Sequence, residues 1–424
     1  MLAVTGLLVL LSLFYYRQTV AFTAAVLIFL NYLPSGIPGV KLVFLISILL
    51  VLLYYGMGYY KQKTDTYPMW LLVPSLLMFV CHLITNHQGV VKNLPLIFVQ
   101  CISYLFFPYV VWKVLYSKKL FDTYLRYLFV FLFIMAAYTI VELLMGRNYL
   151  ALFIQENIAE SMGGGGERER FGFLRCNSIM PYSSALGMVS ACSFFLILMT
   201  RLLKVNIVER ALPFLLLLLP FCVLVSGTRS QYCVFGVCML PMFLWKDFVR
   251  SKYMRYALLV ISVLLIFFYG YFFQIIDSIV NSTTSEYATG SNSDMREEQF
   301  DICYRYFVHS PIWGNGPNYL WLEVRPDNPA LYGAESVWFQ IMTDYGLVGC
   351  INYLLIVIGA MITLGKKSLV LIFFPLAFLV GKTLSIVIGI ELNFLLVYTI
   401  VLYRMFQFYG DKAKKIVLQF GRRH

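Results

Sequence analysis

Charge is scarce in this sequence: 13% of its 424 residues are Asp, Glu, Lys or Arg, 60% are hydrophobic, and mean hydropathy is +0.78. That balance excludes a soluble globular chain and describes a polytopic membrane protein. Histidine is equally sparse. The four present (His82, His87, His309, His424) show no H-x-x-x-H or Cys/His spacing, so no zinc site is expected. No clustered acidic D-x-D pair lies on the side expected to be outside, which argues against a metal-nucleotide site. The nine cysteines fall mostly inside apolar runs, where they act as small hydrophobes. Only Cys176 and Cys303 lie in or beside long loops; a bridge between them is open and none is predicted. No basic residue precedes the first apolar run and no small-residue cleavage site follows it, so it reads as a first span and not as a signal peptide. An internal repeat, and the paired broken helices of an inverted-repeat transporter, are not evident either.

What is there is a succession of apolar segments near the roughly 17 to 25 residues a bilayer requires. They fall near 2–16, 18–33, 40–59, 69–86, 94–116, 124–145, 178–200, 211–226, 230–246, 256–273, 336–362, 368–386 and 388–408. The first two crowd around Arg17, so the expected fold is an all-α polytopic membrane protein of about 12–13 transmembrane helices. The polar breaks alternate in character. Counting Arg17, Lys113 and Arg404, one side collects 22 Lys and Arg against 5 Asp and Glu; the other has 11 basic and 16 acidic residues. By the positive-inside rule the basic side is the cytoplasm, and the net charge of +12 then sets orientation and implies no nucleic acid.

Two long loops then fall outside, and the chain divides into a bundle at 1–273 with an extracytoplasmic loop at 146–177, a long loop at 274–335, C-terminal spans at 336–408 and a basic tail at 409–424. Within the first loop, Gly163 to Gly166 is a flexible hinge more simply than a phosphate cradle, because no P-loop lysine follows. The second loop is the most polar stretch of the chain. Asp294 and Glu297 have the spacing of a capping box, and Phe300, Cys303, Tyr304, Phe307 and Val308 then recur at helical spacing, which predicts a helix lying against something.

Four arginines on that side stand out: Arg170 and Arg175 in ERERFGFLRCNS, Arg229 in the turn SGTRSQ, and Arg296 in the first turn of the loop helix. Cations there work against orientation, so they are expected to serve a purpose. Arg168, Arg175, Arg305 and Arg325 are read as ordinary ion pairs or headgroup contacts. No carboxylate lies near Arg229 in the sequence and its neighbours Ser226, Gly227 and Ser230 are small, which leaves room for a ligand. At Arg296, helix-start amides and a guanidinium together suit a diphosphate. Glu335, just before the span SVWFQIMTDYGLVG, is either a general base with a raised pKa or a helix-start carboxylate favoured by the dipole. Lys382 and Glu391 read as a structural pair, Asp344 as a further charge at the end of a span, and Trp313, Tyr319 and Trp321 as core or as sugar-stacking faces.

RFGFLRCNS before a span, SGTRS at a turn, an arginine, PIWGNGPN and AESVWFQIMTDYGLVG, in that order and on this topology, resemble the O-antigen polymerase and ligase superfamily (Wzy and WaaL type). The resemblance implies a GT-C-like fold whose long extracytoplasmic loop contains short helices. It also implies an enzyme of the bacterial inner membrane that transfers glycan from an undecaprenyl-diphosphate-linked oligosaccharide on the outer face, with no cofactor and no metal. Membrane lipid, a chain-length regulator and a flippase are the implied partners. Matched by position, Arg170, Arg229 and Arg296 would bind the diphosphate, with Arg229 and Arg296 also catalytic. Ligases of the family generally carry a histidine and a small polar residue where this chain has Glu335 and Ser336, which favours a polymerase, with Glu335 as catalytic base. A ligase acting on lipid A core and a lipid-linked glycan flippase or exporter are the alternatives.

Overall fold

The computed structural model describes residues 10–31, 33, 42–62, 64–84, 98, 101–157, 169–170, 173–180, 182–205, 207, 211–244, 269–280, 293–333, 336–385 and 391–410. The expected span at 256–273, the basic residues between 246 and 255 and the tail from 411 onward lie largely or wholly outside these. The chain runs helix after helix. In order they are α1 (Tyr16–Ala25), α2 (Leu27–Leu30), α3 (Leu42–Gly56), α4 (Met69–Ile84), α5 (Phe107–Val114), α6 (Lys118–Met145), α7 (Tyr149–Asn157) and α8 (Ser183–Leu202). There follow α9 (Leu212–Val225), α10 (Arg229–Leu244), α11 (Tyr269–Val280), α12 (Ser293–His309), α13 (Val337–Gly365), α14 (Phe373–Leu384) and α15 (Leu392–Tyr409). This is an all-α polytopic membrane architecture. Among the described residues α6, α8, α13 and α15 are long and apolar enough to cross a bilayer, and α3, α4, α9 and the stretch ending in α14 are shorter apolar helices. Hydrocarbon offers no partner for backbone N–H and C=O groups, so sequences such as LVFLISILLVLLYYG bond them internally as helix.

One small departure from all-α is a two-residue antiparallel ladder in the first long loop, pairing Glu169 with Leu174 and Arg170 with Phe173. The break expected between the first two spans at Arg17 is also not a polar loop. Helical bonds flank a bend at Tyr15, whose N–H donates to the Leu11 carbonyl at 2.8 Å while its own carbonyl accepts from Thr19 N–H at 2.9 Å. Arg17 lies in α1, over the ring of Tyr59.

The centre of the bundle is α8, which is nearly all buried. Its small residues, SSALGMVSACS, let neighbours approach closely, and Ser193 meets the Tyr398 hydroxyl of α15 at 3.0 Å. A second close crossing joins α4 to α13, where a Cβ on Gly359 would stand 1.9 Å from the Trp70 carbonyl oxygen, so only glycine fits.

The polar breaks expected on the basic side gather at one face. Lys118 lies over Tyr409, Lys367 over Tyr403, and Tyr409 donates to Asp122. At the centre of this face Arg404 is fully buried. Its guanidinium stacks on Trp112 at 4.1 Å, donates to the Trp112 carbonyl at 3.0 Å and pairs with Asp65 at 2.8 Å, while Lys113 donates to the Asp65 carbonyl at 3.0 Å. Burial by itself would raise the Asp65 carboxyl, but hydrogen bonds from Arg404 and Gln407 and the charges of Arg404 and Lys367 outweigh it and hold it below the usual aspartate value. A depressed carboxyl stabilises the fold above its ordinary pKa and loses that contribution as pH falls through the lowered value, so this lock is complete at neutral pH and yields only in strong acid. Arg404→Ala is expected to destabilise by roughly 1–3 kcal/mol, since it empties a stacked site but leaves a partly hydrated Asp65. The measurement is the thermal midpoint in detergent, with Arg404→Lys intermediate because an ammonium lacks the planar fork.

Candidate functional site

At the opposite end, the loop face, the long loop is tied into the bundle by a knot. Helix α13 is broken at Gly346, whose φ of 63° and ψ of −157° suit only glycine. The segment from Pro311 to Gly316 fills the break. Leu347 and Val348 N–H donate to the carbonyls of Pro311 and Ile312 at 2.9 and 3.1 Å, while Asn315 and Gly316 N–H donate to those of Thr343 and Asp344 at 3.0 and 2.9 Å. Two N–H and two C=O groups at the break are thus re-bonded by the loop, the condition under which irregular backbone survives at a span. Gly314 crosses so closely that a Cβ there would lie 2.4 Å from the Asp344 oxygen. The buried Asp344 carboxylate then accepts from Leu320 N–H at 2.8 Å and Asn318 N–H at 3.1 Å, starting the next turn of the loop. PIWGNGPN and TDYGLVG are therefore two halves of one structural unit. The sequence predicts the start of a plain span here, and hydropathy gives no sign of the break at Gly346.

From the knot the loop helix α12 runs back to the end of α14. Arg296, half-buried, donates from Nη2 to the carbonyl of Leu384 at 3.3 Å. One residue earlier, Thr383 Oγ1 accepts from Trp338 Nε1 of α13 at 2.9 Å. The helix begins at Ser293, so Asp294 lies inside its first turn and not at the cap expected of it. Its buried face also differs from the expected one. Gln299, Ile302 and Cys303 point inward with Leu320, Val324, Leu331 and Phe339, whereas Phe300, Tyr304 and Val308 are exposed. Burial pushes the Cys303 thiol up to about 12, and Cys176 likewise, so both stay protonated; each is a separate free thiol.

The turn SGTRSQ sits at the same end. Ser226, Thr228, Ser230 and Gln231 are buried, and Arg229, half-buried, is the first residue of α10. The turn abuts α8, for a Cβ on Gly187 would meet Ser226 Oγ at 2.7 Å and Gln231 at 2.8 Å. Next along, Gly381 of α14 packs on Val234 of α10 and Met188 of α8. The start of α10, which carries Arg229, and the end of α14, which receives Arg296, therefore belong to one packed helix pair.

Two further cations join them. Arg175 lies across the turn, its Cγ 2.9 Å from where a Cβ of Gly227 would be, and donates to Ser183 Oγ at 2.8 Å. It is placed by its neighbours: Cys176 N–H donates to the Val225 carbonyl at 2.9 Å, and the buried Glu142 carboxylate accepts from the N–H groups of Asn177 and Ser178. Lys382 is buried beside Gly381. The sequence reads Arg175 as an ordinary ion pair or headgroup contact, and Lys382 with Glu391 as a structural pair; Lys382 stands near the end of α14 and Glu391 just before α15. Arg175 has long-range neighbours that local spacing does not reveal, and the one available signal is Gly227, the small residue that admits it. Of the other residues predicted, Arg170 enters the two-residue ladder through its backbone, its side chain lying outside what is described, and Glu335 lies outside the described residues altogether; Ser336 after it caps α13, accepting from Trp338 N–H at 3.3 Å. Among the described residues no three His, Cys, Asp or Glu side chains gather where they could hold a metal ion.

Such a rim of guanidinium and ammonium groups at helix ends suits an anion presented at a membrane surface. Residues 213–354, a third of the chain, match the family model described as O-antigen ligase. Over that stretch the match supports the O-antigen polymerase and ligase superfamily. The matched stretch runs from inside α9 to the middle of α13, so the superfamily's own region holds Arg229, Arg296 and the Gly314–Gly346 knot, while Arg175 and Lys382 flank it. The match indicates activity of the O-antigen polymerase or ligase type, glycosyltransferase-like in kind, in a multi-pass membrane protein. No curated protein matches the chain.

Proposed function

We propose that this protein is a polymerase of surface polysaccharide, transferring an undecaprenyl-diphosphate-linked glycan onto a lipid-linked repeat unit at the outer face of the bacterial inner membrane. The observation that carries the reading is the gathering of Arg175, Arg229, Arg296 and Lys382 at the loop-face ends of α8, α10 and α14, opposite the basic face that the positive-inside rule assigns to the cytoplasm. In this reading Arg229 and Arg296, with Arg170 from the first loop, hold the donor's diphosphate. The acceptor hydroxyl attacks the anomeric carbon, the bond from that carbon to the phosphate oxygen breaks, and the electron pair leaves with the diphosphate. The arginines stabilise the charge that develops there, and alignment supplies much of the rest. Glu335 takes the hydroxyl proton. No metal is required, because fixed cations fill the role a metal would have. A flippase delivers the lipid-linked repeat and a chain-length regulator acts on the product.

The second reading, a ligase that moves finished glycan to lipid A core or another acceptor, draws on the description of the matching family. A deletion strain separates the two by the size of the lipid-linked glycan that accumulates. Single repeats on undecaprenyl diphosphate are the expected result; full-length polymer on that carrier would overturn the polymerase reading in favour of the ligase. The exporter reading finds less support, since the cations collect at one face.

A further inference from the structure

The loop helix α12 has three faces. One packs on the loop's own core through Ile302 and Cys303, a second carries Glu298, Asp301 and Arg305, and a third is an exposed apolar ridge. On that ridge Phe300 is 45% exposed, Tyr304 48% and Val308 54%, spaced one helical turn apart, and the rings of Phe300 and Tyr304 stack at 5.7 Å. The ridge does not end with the helix. Exposed Ile312 and Trp313 prolong it, and the backbone of Ile312 bonds to Val348 at the knot, beside exposed Leu347. From Leu347 an exposed apolar stripe descends α13 through Ile351, Leu355 and Ile358, the face a spanning helix turns to lipid.

We propose that α12 is an interfacial helix, its ridge sunk into the boundary between headgroups and acyl chains of the leaflet at the loop face, as a continuation of the lipid-facing stripe of α13. Continuity with that stripe selects lipid over a protein partner. Both ends of α12 are anchored at the rim, one through Arg296 on Leu384 and the other at the knot, so the helix lies along the bundle's edge. Tyr304 and Trp313 belong to the residue types that favour this depth, and the charged residues of the adjoining face, with Glu297 at the N-terminal start of the ridge, reach water. Insertion rests on apolar area, because the polar face is not basic enough to attract anionic lipid. The inference is independent of which reaction the rim carries.

The test introduces tryptophan singly by Phe300→Trp, Tyr304→Trp and Val308→Trp, with Glu298→Trp as the polar-face control, in the full-length protein in lipid vesicles. The fluorescence of the parent, which has six tryptophans, is subtracted. In phospholipid brominated near the carbonyl end of its chains, the added signal at the three ridge positions is expected to fall by about half or more and to resist aqueous iodide; Glu298→Trp should behave oppositely. Iodide quenching without bromolipid quenching on the ridge would overturn the proposal. So would insensitivity to both, which would mean that protein, such as a second copy, covers the face. If the added tryptophans impair folding, Trp313→Phe serves instead: it should remove a bromolipid-quenched component from the parent spectrum, and removal of an iodide-quenched one overturns the inference.

Discussion

Gly346→Ala is expected to leave little folded protein in the membrane, with the residual material melting at a much lower temperature than the parent. Two independent effects add at this position. The backbone there lies in a region that only glycine occupies comfortably, which costs an alanine roughly 1–3 kcal/mol. Its Cβ would also stand 2.6 Å from the Gly314 amide nitrogen and 2.7 Å from the Ile312 carbonyl oxygen, atoms of backbone that cannot swing aside. Gly314→Ala should behave similarly, because its Cβ would strike Asp344 and Tyr345 backbone at 2.4 Å. The control is Gly236→Ala, in a helix with no atom near the added carbon, which should match the parent. Membrane abundance and thermal midpoint of the three variants check the account; normal values for Gly346→Ala would mean that the break in α13 is not as described.

The second large effect is functional. Arg229→Ala and Arg296→Ala are each expected to lower the rate of glycan transfer by about 100- to 1000-fold, the usual loss when one group stabilising developing charge is removed. Surface polysaccharide should collapse from a long ladder to short chains on a gel while the protein still reaches the membrane. Lysine at either position should recover part of the rate, since it restores charge without the bidentate fork. Arg325→Ala, whose guanidinium lies over Trp321 within the loop, should leave the ladder unchanged. Parental ladders from both Arg229→Ala and Arg296→Ala would remove the enzymatic proposal.

Reading the sequence reached the architecture readily, and for a physical reason. Hydropathy and lysine placement report on lipid and on orientation one residue at a time, and the contacts among Lys118, Lys367, Arg404 and Asp65 show those breaks meeting at one face. The placement of Arg229 at a tight turn was also legible, because Ser226, Gly227 and Ser230 around it mark one. The knot was not. A glycine inside an apolar run looks harmless to any hydropathy scale, and the break at Gly346 exists only because Gly314, far off in the chain, arrives to re-bond it. The contacts of Arg175 were hidden for a like reason, as Ser183 and Gly227 come together only through the packing of α8 on the SGTRSQ turn. The apolar face of α12 was seen but turned the wrong way. In a soluble protein Phe300, Tyr304 and Val308 would have to face a core; at a membrane rim the exposed side can be the apolar one, and Gln299 can face inward by donating to the Ala330 carbonyl at 2.9 Å.

The most direct measurement is a cryo-electron microscopy map of the protein in lipid nanodiscs with undecaprenyl diphosphate bound. The account predicts diphosphate density at the loop face, within hydrogen-bond reach of both Arg229 and Arg296 where α10 begins and α14 ends. Density on the basic face beside Arg404 and Lys113, or at the loop face touching neither arginine, would contradict it.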